Sequence, residues 1–139
     1  AGAVSCRLCE KTITIAQLNH FLCRVIRVKM NPSVIQWNED NFSQVERYHG
    51  VAVVRFHAPW CGPCQSSESL FLQAADRLPS DVLVGTVNVV QAPVLAAKYS
   101  VWGLPNTLVF RDGQVVERLS GPQTFSTILA AIIRAQALI

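Results

Sequence analysis

The sequence predicts an α/β fold, a central mixed β-sheet flanked by helices, with a small cysteine-containing appendage at the N-terminus. Strand and helix patterns alternate in the first half of the regular region, and a hairpin followed by a helix closes the second half. Half of the 139 residues are hydrophobic and 15% are charged, which is enough apolar material for a core. The regular pattern begins at residue 33, so we divide the chain into a segment 1–32 and a domain 33–139.

The first half of the domain reads as strand, helix, strand, helix, strand. We predict a short strand at 34–37, then a helix at 38–48 with Asn or Asp residues available as its N-cap. The nearly continuous apolar run 51–58 is typical of a central strand buried on both faces. Helical spacing follows over 62–78, and a further apolar strand over 82–90.

The second half begins with a short predicted helix at 92–99 and ends with a predicted amphipathic helix at 125–138. Between them, strands at 107–111 and 115–119 flank Asp112-Gly113, a strong hairpin signal. The predicted order is thus a βαβ half followed by a ββα half.

Charge and cysteine content exclude several classes of protein. The net charge of +3 is mild and the basic residues are scattered, so we expect no nucleic-acid partner. No apolar run is long enough to span a membrane, and the N-terminus lacks the pattern of a secretory signal. An odd count of five cysteines in a core-rich chain argues against a disulfide scaffold. We expect a cytoplasmic protein, and a monomer.

The pair Cys61 and Cys64 lies where the central strand meets the next helix. A helix N-terminus favours an anion, so the Cys61 thiolate is stabilised, and the thiolate is the form that attacks disulfides. Cys64 lies one turn further on the same face, within reach for a disulfide. Gly62 lets a partner backbone approach, and Pro63 suits the first helical turn. Half of a zinc site is the alternative, but the strand–CxxC–helix context and the adjacent Trp60 favour redox chemistry.

These residues resemble the thioredoxin family from Val34 to Ile139. Trp60-Cys61-Gly62-Pro63-Cys64 is similar to its active-site motif, Gly103-Leu104-Pro105 to its Gly-Ile-Pro with a cis proline, and Phe110-Arg111-Asp112-Gly113 to its hairpin. The resemblance implies that Cys61 is the nucleophile and Cys64 the resolving cysteine in the reduction of disulfide-containing proteins. It also implies recharging by an NADPH-dependent thioredoxin reductase, with no cofactor needed for the redox step. The substrate groove would then be lined by Trp60, Gly62, Pro63, Leu104, Pro105, Ser120 and Gly121.

Two residues near the motif depart from the family. Arg55 stands where the family usually has a buried Asp that helps to deprotonate the second cysteine, and His57 replaces a common Trp. An unpaired buried charge is costly, so we expect Arg55 to reach solvent, a partner or a thiolate. We predict that Arg55 lowers the cysteine pKa values and weakens the protein as a reductant. His57, on the same strand face, is either a substitute base or a packed side chain.

The N-terminal segment carries Cys6, Cys9 and Cys23. This spacing resembles the zinc ribbon that precedes the redox domain in thioredoxin 2-type proteins, except that Ile26 occupies the fourth cysteine position. Because structural zinc requires four ligands, His20 is the candidate for the fourth. A ribbon without metal and a Cys6–Cys9 disulfide are the alternatives.

Two further functions compete with the reductase. One is a redox-weak binding or holdase module on the same fold, which Arg55 and the incomplete ribbon favour, and which intact Cys61, Cys64, Trp60 and Pro105 oppose. The other is a periplasmic oxidant or isomerase, which the basic residue near the thiols suits and the Gly62-Pro63 pair does not.

Overall fold

A computed structural model describes residues 34–138. Its elements alternate as the sequence predicts, with a strand–helix half followed by a hairpin and a closing helix. In chain order they are β1 (Val34–Trp37), α1 (Ser43–Glu46), β2 (Val51–His57), α2 (Gly62–Arg77), β3 (Leu83–Asn88), α3 (Pro93–Lys98), β4 (Asn106–Arg111), β5 (Gln114–Ser120) and α4 (Phe125–Gln136).

The five strands form one mixed sheet in the order β1-β3-β2-β4-β5. Strand β2 lies in the middle, where it pairs in parallel with β3 and antiparallel with β4. Six of its seven residues are buried, as the continuous apolar run predicts for a strand covered on both faces. The predicted α/β class with a mixed sheet is therefore confirmed.

Helices cover both faces of the sheet, and the alternation of side chains along β2 divides the core in two. On the α2–α4 face, Val53 packs with Phe71 of α2 and Ile132 of α4. On the α1–α3 face, Val54 and Phe56 pack with apolar residues of α1 and α3. Consecutive residues of one strand thus contribute to two separate cores.

The aromatic residues are concentrated on the α1–α3 face. Phe42 contacts Trp37, Tyr99 and Phe110 at ring-centroid distances of 5.9, 5.5 and 5.8 Å. Tyr99 and Phe110 also meet edge to face at 5.3 Å. Such tilted pairs stabilise a core beyond the apolar area they bury.

The predicted helix over 38–48 is wrong in extent, because α1 spans only Ser43–Glu46. The asparagines expected to cap it form a turn of their own. The Oδ1 atom of Asn38 accepts the backbone N–H of Asp40 at 2.8 Å, and the Oδ1 atom of Asn41 accepts the N–H of Asn38 at 2.7 Å. Such local side-chain bonds to the backbone compete with helical ones, so the helix begins later than the pattern suggested.

Strand β3 is also shorter than predicted, since it ends at Asn88 rather than at residue 90. The Asn88 Oδ1 atom accepts the N–H of Val90 at 2.9 Å and turns the chain. The Asp112-Gly113 hairpin is confirmed: both residues have positive φ, 51° and 84°, as a two-residue turn of this kind requires. Within residues 34–138 no helix is both long and apolar enough to cross a membrane.

Candidate active site

The two cysteines lie at the start of α2, directly after the central strand. Cys61 is the N-cap residue in an extended conformation, and its Sγ atom accepts the backbone N–H of Cys64 at 3.1 Å. Cys61 and Cys64 form a disulfide with their Cα atoms 5.2 Å apart. A sulfur held at a helix N-terminus by a backbone donor is placed to carry negative charge once the disulfide opens.

Arg55 lies beneath this turn and is only 4% exposed. Its Nη2 group donates to the carbonyl oxygen of Cys64 at 2.8 Å and to Ser67 Oγ at 3.0 Å. Ser67 Oγ in turn donates to the carbonyl oxygen of Pro63 at 2.6 Å. The guanidinium also lies 5.4 Å from the centre of the Phe71 ring. The buried cation thus has acceptors in the first turns of α2, an outcome that the sequence did not indicate.

A cleft of about 290 Å³ opens beside Cys64. Burial, and secondarily the charge of Arg55, lower the pKa of His57 from its ordinary value, while Glu68 acts in the opposite direction. Burial also lowers the pKa of Arg55, again opposed by Glu68. The cleft is lined by Arg55, His57, Ala58, Pro59, Cys64, Gln65, Glu68 and Asn88.

Several of the residues expected to form a groove adjoin the cysteines in the chain or lie near them in the fold. Leu104 packs against the buried Cys61 and Cys64, and the Leu104–Pro105 peptide is cis, as the resemblance implied. The carbonyl oxygen of Pro105 accepts the N–H of Gly121 at 2.9 Å, so the loop after β5 lies beside the proline. Trp60, Gly62, Pro63 and Ser120 are exposed.

Sequence reasoning missed two residues near the site. Ser67 accepts a hydrogen bond from Arg55. The sequence feature that could have identified Ser67 is its position three residues after Cys64, on the same face of the helix. Trp102 is 85% exposed in the loop before the cis proline, and with Trp60, which is 71% exposed, it borders an apolar cleft of about 300 Å³. Its signal was an isolated large aromatic outside any strand or helix pattern. The other residues lining that cleft are Val89, Pro93, Ala96, Ala97, Val101 and Leu104.

The four candidate zinc ligands, Cys6, Cys9, His20 and Cys23, lie outside the described residues, so the zinc site stays a prediction. Within 34–138, the His, Cys, Asp and Glu side chains form no group of three that could hold a metal ion.

Comparisons with known proteins agree with this architecture. A family model described as Thioredoxin matches residues 33–134. The chain is 32% identical to a thioredoxin of Chlamydia caviae over 60% of its own length and 80% of that protein. It is 31% identical to a protein disulfide isomerase-like protein of Arabidopsis thaliana over 62% of its own length, although it spans only 15% of that protein.

Among solved structures, a thioredoxin of Malassezia sympodialis is 29% identical, with a TM-score of 0.68 over 77% of this chain and 94% of the other. The fold agrees in its sheet and flanking helices, and Cys61 and Cys64 of this chain stand at the position of the family's active site. The family model covers most of the chain, and the fold agrees with it. The chain therefore belongs to the thioredoxin family.

Proposed function

We propose that this protein is a thiol–disulfide oxidoreductase that reduces disulfides of other proteins. The Cys61 thiolate attacks one sulfur of a substrate disulfide, which forms a Cys61–substrate bond and releases the other substrate sulfur as a thiolate. The Cys64 thiolate then attacks Cys61, which forms the Cys61–Cys64 disulfide and releases the second substrate thiolate. Two electrons pass from the cysteine pair to the substrate, and the released thiolates take up protons.

One observation carries this proposal: Cys61 Sγ caps α2 and accepts the N–H of Cys64, while the two sulfurs are close enough to bond. The helix N-terminus favours the thiolate on the residue that would attack. Cys64 lies in the first turn of α2, where Arg55 donates to its carbonyl oxygen and its sulfur reaches Cys61. This asymmetry supports Cys61 as the nucleophile and Cys64 as the resolving cysteine.

The surface beside Cys61 suits a polypeptide substrate. A chain bonded to Cys61 would cover Trp60 and the groove residues Gly62, Pro63, Leu104, Pro105, Ser120 and Gly121. An apolar cleft between Trp60 and Trp102 adjoins this surface, and within residues 34–138 no charged side chain lines it. Exposed apolar surface of this kind marks interaction sites. We infer that an apolar side chain near the substrate disulfide occupies this cleft.

We extend the proposal to the redox partner, the compartment and the oligomeric state of the protein. Regeneration of the dithiol would come from an NADPH-dependent thioredoxin reductase, and the exchange itself needs no cofactor. A reducing compartment such as the cytoplasm suits a reductase whose cysteines cycle between thiol and disulfide. We further propose that the protein acts as a monomer, without nucleic acid or membrane.

The test is the reduction of insulin disulfides by dithiothreitol, followed as precipitation of the freed chain. We expect the full chain to accelerate it strongly, and Cys61→Ser to abolish the acceleration. Cys64→Ser should instead accumulate a Cys61–insulin mixed disulfide, detectable by mass. A folded wild type that gives no acceleration would contradict the proposal and favour the binding or holdase module.

A further inference from the structure

The buried side of the cysteine pair differs chemically from its exposed side. Arg55 and Cys64 border the same cleft, and the guanidinium donates to the carbonyl oxygen of Cys64 itself. His57 lies two residues further along β2, on the same strand face, and lines the cleft with them. A fixed cation, a half-buried imidazole and the resolving cysteine thus share one small space.

We infer that Arg55 favours the thiolate of Cys64 and that His57 accepts the Cys64 proton through the shared cleft. The inference rests on the proposed function, because it concerns the step in which Cys64 resolves the mixed disulfide. Arg55 acts by its charge alone, since a guanidinium does not give up its proton in proteins. A separate group has to take the proton, and the imidazole is the group of suitable basicity beside Cys64.

The position of Arg55 is fixed rather than incidental. Ser67 Oγ accepts from Arg55 and donates to the Pro63 carbonyl oxygen, so the guanidinium is tied to the same turn that carries both cysteines. The guanidinium carbon also lies over the Phe71 ring, 5.4 Å from its centre. A cation held this firmly needs no rearrangement when the thiolate forms, which is the condition for effective electrostatic stabilisation.

Within the described part of the chain, three charged or titratable groups line the cleft together with His57. Arg55 faces it from β2, and Cys64 and Glu68 face it from α2, whereas β3 contributes the uncharged Asn88. Burial and the Arg55 charge keep the pKa of His57 below its ordinary value, so the imidazole is neutral near pH 7 and able to accept a proton. Glu68 is the competing acceptor, because its carboxylate lines the same cleft.

In the resolving step, the proton of Cys64 passes to the imidazole of His57, directly or through water in the cleft. The Cys64 electron pair then forms the bond to Cys61 Sγ, and the bond from Cys61 to the substrate sulfur breaks. That sulfur leaves with the bonding pair, and the imidazolium returns its proton to solvent or to the leaving thiolate. The substrate is reduced and the cysteine pair is oxidised, with no further reactant.

The experiment follows the reaction of the reduced full chain with dithiobis-nitrobenzoate, with Cys6, Cys9 and Cys23 replaced by Ser. Attack by Cys61 releases one coloured thiolate, and resolution by Cys64 releases the second, so stopped-flow absorbance separates the two steps. We expect His57→Gln to slow the second phase about a hundred-fold near pH 7, in the range that a general base supplies. Added imidazole should restore that phase. His49→Gln, which changes an exposed histidine remote from the cysteines, is the matched control.

For Arg55→Met we expect the pH midpoint of the second phase to rise by about one unit, and Arg55→Lys to restore most of the shift. If Arg55→Met fails to fold, two other variants test the role of Arg55. Arg55→Lys and Ser67→Ala keep the charge but alter its position, and each should shift the pH midpoint of the second phase by a smaller amount. An unchanged second phase in His57→Gln, or the loss of that phase in Glu68→Gln instead, would overturn the role of His57. An unchanged midpoint would overturn that of Arg55.

This assay needs only the two cysteines, whereas insulin reduction also needs a protein substrate to bind. A normal second phase without insulin reduction would therefore contradict the proposed function and leave the inference standing.

Discussion

The two faces of the central sheet share the same strands but hold very different interiors. On the α1–α3 face, Phe42, Tyr99 and Phe110 form a closely packed aromatic cluster. On the α2–α4 face, at the end nearest the cysteines, Arg55 and Ser67 form a buried polar network. We expect substitutions in the aromatic cluster to change mainly the stability, and substitutions of Arg55 to change mainly the chemistry of the cysteines. Four predictions test this separation.

The largest effect is expected on the aromatic face. Phe110→Ala should lower the free energy of unfolding by about 3–5 kcal/mol, because it leaves a cavity among Phe42, Tyr99 and Leu108. Denaturant titration of the oxidised protein measures the loss. Ile133→Ala, at an exposed position of α4, is the control and should change it by less than about 0.5 kcal/mol. The two faces would not be separable if the folded Phe110→Ala protein showed an altered pH profile of its thiols.

Removal of the Arg55 charge on the α2–α4 face should change the reduction potential of the cysteine pair. The Arg55 cation favours thiolates and therefore the reduced form, so Arg55→Met should lower the potential by about 30–60 mV and strengthen the protein as a reductant. Equilibration with a glutathione buffer measures this shift. Arg55→Lys should stay close to wild type. A potential that stays the same or rises in Arg55→Met would contradict the assignment.

A smaller effect is expected at the apolar surface beside Trp60. Trp102→Ala should lower kcat/KM for insulin by about three- to ten-fold, because an aromatic contact of ordinary strength is lost. Reduction of hydroxyethyl disulfide, which is too small to reach the cleft from Cys61, should be unchanged. Ile133→Ala should affect neither substrate. Equal losses on both substrates would show that Trp102 acts on the cysteines rather than on the polypeptide.

The smallest effect concerns the link between α1 and the end of α3. Hydrogen bonds from Lys98 and Tyr99 lower the pKa of Glu46 from its ordinary value. A carboxylate with a lowered pKa adds stability that is complete above its unfolded-state value and is lost as the pH falls through its folded-state value. Tyr99→Phe should therefore cost about 1 kcal/mol at pH 7 and less below pH 4. Urea titrations at several pH values measure the difference in the free energy of unfolding between wild type and Tyr99→Phe. A difference that stays constant from pH 7 to below pH 4 would contradict the prediction.

The sequence predicts this fold well because its signals are local and strong. The apolar run of β2, the Asp112-Gly113 turn and the cysteine pair each require one conformation, and each was confirmed. The helix before β2 was overestimated, since Asn38 and Asn41 satisfy backbone groups of their own turn. An Asn side chain can accept a backbone N–H either as a helix cap or within a non-helical turn. The spacing of residues in the sequence does not distinguish these two conformations.

The site was only partly predictable, for a different reason. That Arg55 is buried follows from its place in a central strand, but its partners, the Cys64 carbonyl oxygen and Ser67, lie on another element. Trp102 was overlooked because an exposed aromatic in a loop has no periodic pattern. Contacts between elements, unlike the elements themselves, depend on how the layers pack.

The central place of β2 has a consequence for the motions of the protein. Its amides and carbonyls bond to β3 on one side and to β4 on the other, so this strand cannot fray from an edge. In native-state hydrogen exchange its amides should open only with global unfolding, while those of the edge strands β1 and β5 exchange by smaller fluctuations. Because the cysteine pair follows the end of this strand, we expect the proposed disulfide chemistry to take place beside the most slowly exchanging part of residues 34–138.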